Sequence, residues 1–136
     1  MAFVGSSAGT NAAGQSLHVS ICMPITAPPT FNALGLLPCL VSPHYHDAEN
    51  KAKLAAQGMY VGMEETREQR IAQYFEERDP GGHPLHVVGL REGGLLRVIG
   101  NTATLHGLRG ARVFAAPDGV PTDYAVGDDI SKAIGL

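Results

Sequence analysis

Charge is sparse in this chain and does not cluster: 10 Lys and Arg stand against 13 Asp and Glu, a formal net charge of −3. Nucleic acid or an anionic membrane surface would find no electrostatic footing on it, and neither is expected as a partner. Cysteine is nearly absent, with Cys22 and Cys39 alone. Two thiols are too few for a disulfide framework and lack metal-ligand spacing, so a reducing, cytoplasmic compartment is the expectation. No secretory leader is read ahead of the first motif, and no apolar run approaches the ~18 residues that a membrane-spanning helix needs. What is present is the material of a globular core: 136 residues, 44% of them hydrophobic. That length and balance predict one α/β domain over residues 1–136.

The most informative stretch comes first. Phe3 and Val4 lead into Gly5-Ser6-Ser7-Ala8-Gly9, followed by small, helix-tolerant residues. A serine at the apex of a sharp strand-to-helix turn needs small neighbours, and Gly5 and Gly9 flank Ser7 in the pattern of a nucleophile elbow. The turn would lift the Ser7 hydroxyl clear of a sheet and aim the Ala8 N–H at a developing oxyanion. The same five residues also suit an ordinary glycine/serine turn.

A short helix is expected from Ser7 to about Gln15, then a strand from Leu17 to Ile25 and a rigid extended loop at Thr26 to Thr30. A second strand is read from Leu36 to Ser42, ending at Pro43. His44 follows, at a strand's carboxyl end, where open α/β sheets place their chemistry. His44, Tyr45, His46 and Asp47 could form a metal group, but His18, His83, His86 and His106 show no complementary spacing. Zinc needs three or four ligands, and no metal or other cofactor is expected.

Residues 48–63 read as a loop or weak helix. Thr66 to Gln69 then fits a capping box opening a helix, with Ile71, Tyr74 and Phe75 as its apolar stripe and Asp79 to Gly82 as its stop. Arg67 sits in the first turn, where the helix dipole disfavours a cation. An ordinary solvated charge or a partner for an acidic substrate would each account for it. The last third reads as β structure: a strand at Leu85 to Leu90, a turn carrying Glu92, and a strand at Leu95 to Ile99. A two-residue turn at Gly100-Asn101 and a strand at Ala111 to Ala115 follow.

The elbow, His44 and Glu92 resemble peptidase E, the α-aspartyl dipeptidase family, whose triad is serine, histidine and glutamate in that chain order. An α/β-hydrolase would place its acid before its histidine, and no convincing acid lies between Ser7 and His44. Matching segments run in order: Gly5 to Asn11, Met23 to Ile25, Pro28 to Pro38, Ser42 to Tyr45, Glu65 to Ile71 and Gly89 to Gly93. The resemblance implies a three-layer fold related to class I glutamine amidotransferases, here partial, with a C-terminal β-hairpin region. It implies Ser7 as nucleophile, His44 as general base, Glu92 as the group orienting the imidazole, and Ala8 N–H as an oxyanion donor. Arg67, assisted by Thr66, would pair with the side-chain carboxylate of a small peptide substrate bearing an N-terminal aspartate. Cys22 stands where the family often has an acid. The family's amino-terminal strands and the glycine-rich loop that supplies a second oxyanion donor have no counterpart among these residues. Three readings follow: an active serine peptidase completed by self-association, a non-catalytic interaction domain, or a piece requiring an amino-terminal partner chain. A homodimer or larger symmetric oligomer is expected, with Phe3, Val4 and the apolar residues from Leu34 to Val41 near its interface.

Overall fold

The computed structural model describes residues 1–20, 25–46, 56, 67–77, 84 and 86–136. Its centre is β2 (His86–Arg91), a nearly continuous apolar strand of the kind that must be covered on both faces. β1 (Leu40–Tyr45) lies parallel to it on one side and β5 (Ala111–Ala115) antiparallel on the other, with β6 (Val120–Tyr124) beyond β5. A parallel neighbour requires a crossover, and this one contains α2 (Arg67–Glu77).

Helix α2 buries Ile71, Tyr74 and Phe75, spaced i, i+3, i+4, against Leu40, Tyr45, Val87 and Phe114 on one sheet face. The opposite face carries Val41, Val88, Leu90 and Val113. It is covered by the hairpin of β3 (Gly94–Ile99) and β4 (Thr102–Gly107), through Ala103 and Leu105, and by Ile130 and Ile134 of the C-terminal segment. Backbone bonds from Ile130 N–H to Ala103 O and from Leu105 N–H to Asp128 O sew that segment to β4. The result is α/β, in three layers of helix, mixed sheet and hairpin. Helix α1 (Ala8–Ala13) sits beside β1: the buried Asn11 donates from Nδ2 to Val41 O at 2.8 Å, and Gln15 N–H donates to Cys39 O.

The hairpin at Gly100-Asn101 forms as its turn chemistry predicts, with Ile99 opposite Thr102. Other elements differ. Of the strand expected at Leu17 to Ile25, residues 17–20 form a turn in which Ser20 N–H donates to Leu17 O, and residues 21–24 lie outside the described residues. β1 begins at Leu40 rather than Leu36 and runs through Pro43, because a bulge between Ser42 and Tyr45 accommodates the missing N–H. β6, with its mostly exposed side chains, offers no apolar alternation to read. Residues 1–6 pair with no strand among the described residues, and Val4 is 93% exposed. Phe3, Leu34 and Leu36 are exposed as well, whereas Leu37, Cys39, Leu40 and Val41 are buried in this chain's own core and cannot face a partner. Thr66 and its capping box, the 48–63 loop (Ala56 apart) and the stop at Asp79 to Gly82 lie outside the described residues.

Candidate active site

Ser7 occupies the N-cap of α1, where a serine hydroxyl ordinarily accepts from an N–H of the first helical turn. Here it makes no such bond: φ is +51° and ψ −119°, and the side chain turns away from the helix. His44 has φ +55°, and these two are the only non-glycine residues of positive φ among the described residues. L-residues held in such backbone conformations cost of order 1–3 kcal/mol each, and that strain collects at functional sites. It is concentrated on two residues whose side chains meet: Ser7 Oγ lies 3.0 Å from His44 Nε2.

The strain has identifiable supports. At Ser7 the chain turns so tightly that a Cβ on Gly5 would stand 2.5 Å from Gly9 O, and Thr10 Oγ1 closes the turn by donating to Gly5 O. Gly9 is different from what the motif suggests. A Cβ there would meet nothing within 4 Å, so only the first glycine of the pair is demanded by space. At His44 the support is the β1 bulge: Ser42 pairs with Gly89 and Tyr45 with Arg91, so His44 belongs to the stretch with one residue too many. A bulge re-aims a side chain, and this one sends the imidazole out at the carboxyl end of β1.

Glu92 follows β2 directly, in the turn before β3, and its Oε2 lies 2.5 Å from His44 Nδ1. The hydrogen bond from His44 holds the Glu92 carboxyl below the ordinary carboxylate range. An ionised carboxylate can only accept, so the proton between the two belongs to Nδ1. Nε2 is then left with a lone pair, and Ser7 O–H donates to it. The polarity of the line runs serine to histidine to carboxylate, each donor facing an acceptor.

The Ala8 N–H opens α1, among the N–H groups that have no partner inside a helix. Arg67 opens α2, half-buried, and its neighbour Glu68 accepts from Arg112 Nη1 at 3.5 Å. His46 is exposed at the end of β1, and Asp47 lies outside the described residues. Among the described residues no three His, Cys, Asp or Glu side chains gather as a metal-binding set. Sequence reasoning did not single out Thr10, which closes the elbow's own turn on Gly5 O, or Asn11, whose partner Val41 O is distant in sequence and leaves no local pattern.

The sequence profile of peptidase family S51 matches residues 1–106, which include Ser7, His44 and Glu92. The chain belongs to that family. Among its curated relatives, peptidase E of Streptomyces coelicolor is 41% identical over 132 residues, covering 97% of this chain and 49% of that protein. A Drosophila melanogaster protein named "Probable alpha-aspartyl dipeptidase" is 43% identical over 117 residues, covering 86% of this chain and 43% of that protein. Peptidase E of Shewanella amazonensis is 37% identical, with 97% and 50% covered. The chain thus spans about half the length of the curated relatives it matches. No described helix is long and apolar enough to cross a membrane.

Proposed function

We propose that this S51 family chain carries the catalytic machinery of a serine peptidase that hydrolyses dipeptides or short peptides with an N-terminal aspartate through an acyl-enzyme. The observation that carries the reading is the hydrogen-bonded line from Ser7 Oγ through His44 to Glu92, at 3.0 and 2.5 Å. In this reading Ser7 Oγ attacks the scissile carbonyl while His44 Nε2 takes its proton, and Glu92 stabilises the imidazolium that results. The Ala8 N–H donates to the oxyanion. His44 returns the proton to the leaving amine, then activates water to cleave the ester on Ser7.

Arg67, with Thr66, pairs with the substrate's side-chain carboxylate, for which a planar guanidinium is suited. The names of the relatives, peptidase E and alpha-aspartyl dipeptidase, support this substrate class. Assembly into a homodimer or larger oligomer belongs to the same proposal, supported by the exposed Phe3, Val4, Leu34 and Leu36. So does a cytoplasmic location, supported by the scarcity of cysteine.

Hydrolysis of Asp-Leu and of aspartyl p-nitroanilide by the purified chain is the test, with light scattering on the same sample. Turnover that disappears in Ser7→Ala supports the reading; turnover that survives the substitution overturns it. Arg67→Ala should cost aspartyl substrates about 1.5–3 kcal/mol, the worth of a charged hydrogen-bonded pair, and leave non-acidic dipeptides unchanged. Equal losses on both would assign Arg67 to the fold rather than to specificity.

A further inference from the structure

One face of the sheet carries a polar row that crosses all four strands. Tyr45 of β1 stands opposite Arg91 of β2, Arg112 of β5 stands opposite Gly89 of β2, and Asp123 of β6 stands opposite Arg112. The side chains close on one another. Asp123 Oδ1 accepts from Arg91 Nη2 at 2.5 Å and from Arg112 Nε at 3.0 Å, and Oδ2 accepts from Arg112 Nη2 at 2.7 Å. The Arg91 guanidinium lies 5.7 Å from the centre of the Tyr45 ring, and Arg112 Nη1 reaches Tyr45 Oη at 3.5 Å. The same Nη1 reaches Glu68 Oε1, beside Arg67 at the start of α2.

The row's members on β1 and β2 adjoin the candidate site along the chain. Tyr45 is the residue after His44, and Arg91 is the residue before Glu92. The two arginine side chains are 14% and 22% exposed, so their mutual repulsion is poorly screened unless a carboxylate lies between them. Asp123 is the group that takes both. It is itself 55% exposed at the sheet edge, where β6 has little else to contribute to a core.

We propose that Asp123 is a positioning residue for the Ser7–His44–Glu92 line, acting through Arg91 and Arg112 to hold Tyr45, and with it the bulge that aims His44, against the turn that carries Glu92. The inference rests on the proposed peptidase reading for its consequence, but the geometry it asserts is independent of activity. Asp123 holds Arg91 over the Tyr45 ring, Tyr45 holds the bulge, and the bulge sets the distance from His44 to Glu92. The Arg112 branch to Glu68 extends the same restraint to the helix end that carries Arg67.

The experiment compares Asp123→Asn, Asp123→Glu and Arg112→Lys with the parent chain, using two readouts. The first is the carbon-13 titration of the Glu92 carboxyl, which reports the bond from His44 whether or not the protein turns over. The second is the rate at which a fluorophosphonate labels Ser7. In Asp123→Asn the Glu92 titration should move up toward that of an ordinary carboxylate, and labelling should slow on the order of tenfold or more, as expected for a sub-ångström to ångström misplacement. Asp123→Glu, which keeps the charge, should restore part of both. Arg112→Lys keeps a cation but loses the two-pronged grip and should shift Glu92 in the same direction. An unmoved Glu92 titration in a folded Asp123→Asn or Arg112→Lys protein overturns the proposal. Collapse of both variants overturns it too, since the row would then serve the fold as a whole. A parent chain that resists labelling would count against the peptidase reading alone, because the Glu92 titration still decides the role of Asp123.

Discussion

The Tyr45 ring lies directly over Gly89, so closely that a Cβ on Gly89 would stand 2.7 Å from Tyr45 Cδ2. This close packing lies next to the candidate site and leaves Tyr45, the neighbour of the strained His44, no room to shift toward β2. Tyr45 fills the space a side chain on β2 would otherwise take, and the bulge that precedes it is pressed into shape. Gly89→Ala should therefore act beyond its size. Overpacking of this kind costs about 1–3 kcal/mol, and here the ring must yield, because β2 is the central strand. We expect a lower urea midpoint together with slower labelling of Ser7. A substitution that lowers stability but leaves Ser7 reactivity intact would show that Tyr45 and His44 move independently.

The two glycines around Ser7 should respond in opposite ways. Gly5→Ala forces a Cβ against Gly9 O, backbone against backbone, and should open the turn that Thr10 closes. Loss of Ser7 reactivity and a marked loss of stability are expected. Gly9→Ala enters open space inside α1 and should be neutral, or stabilising by up to about 0.5–1 kcal/mol, because alanine loses less freedom in a helix than glycine does. Thermal denaturation of the pair checks this. A destabilised Gly9→Ala would mean that the second glycine of the motif has a spatial role after all.

The contrast shows what kind of information was readable in the sequence. Ser7, His44 and Glu92 were legible because each sits at a turn or strand end with local markers, and because their order matched a family. The β3–β4 hairpin was legible because Gly100-Asn101 dictates its own turn. Pro43 reads as a terminator of β1, whereas the bulge makes room for it. Leu17 to Ser20 looked like a strand on β-branched and apolar content, yet Ser16 and Leu17 take part in a turn whose bonds are side chain to backbone and backbone to backbone. Most of what holds the site is not local at all. Arg91, Arg112 and Asp123 are brought together only by strand register, and no spacing along the chain announces them.

Within the line itself the three substitutions should rank in a set order. Ser7→Ala and His44→Ala each remove a member of a unit that acts together, and losses of about 10⁶-fold in kcat are expected from either one. Glu92→Gln retains a hydrogen-bond partner for His44 but removes the charge, and about 10⁴-fold is expected. Because all three side chains reach solvent, far-ultraviolet circular dichroism should not change. Equal activity in Glu92→Gln and the parent would remove Glu92 from the mechanism and leave its bond to His44 a surface ion pair.

The Asp123 carboxylate makes a prediction about acid that separates it from an ordinary surface charge. Its hydrogen bonds from Arg112, and then those from Arg91, bring its pKa from the ordinary 3.8 down to about 2, against the opposing effect of partial burial. A carboxyl whose folded-state pKa is depressed binds its proton more readily when unfolded, so folding gains from the ionised form. That gain is fully present above the unfolded value near 3.8 and is lost as pH falls through about 2. The stability difference between the parent and Asp123→Asn should accordingly be flat from neutral pH to about pH 4, shrink between about pH 4 and pH 2, and vanish below. Urea midpoints taken across that range for both proteins measure it directly. Since Asp123 is more than half exposed, added salt should diminish the plateau without moving the window. A difference that stays flat from neutral pH down through pH 2 would mean that Asp123 titrates as a free carboxylate and that the row across the four strands is not closed in solution.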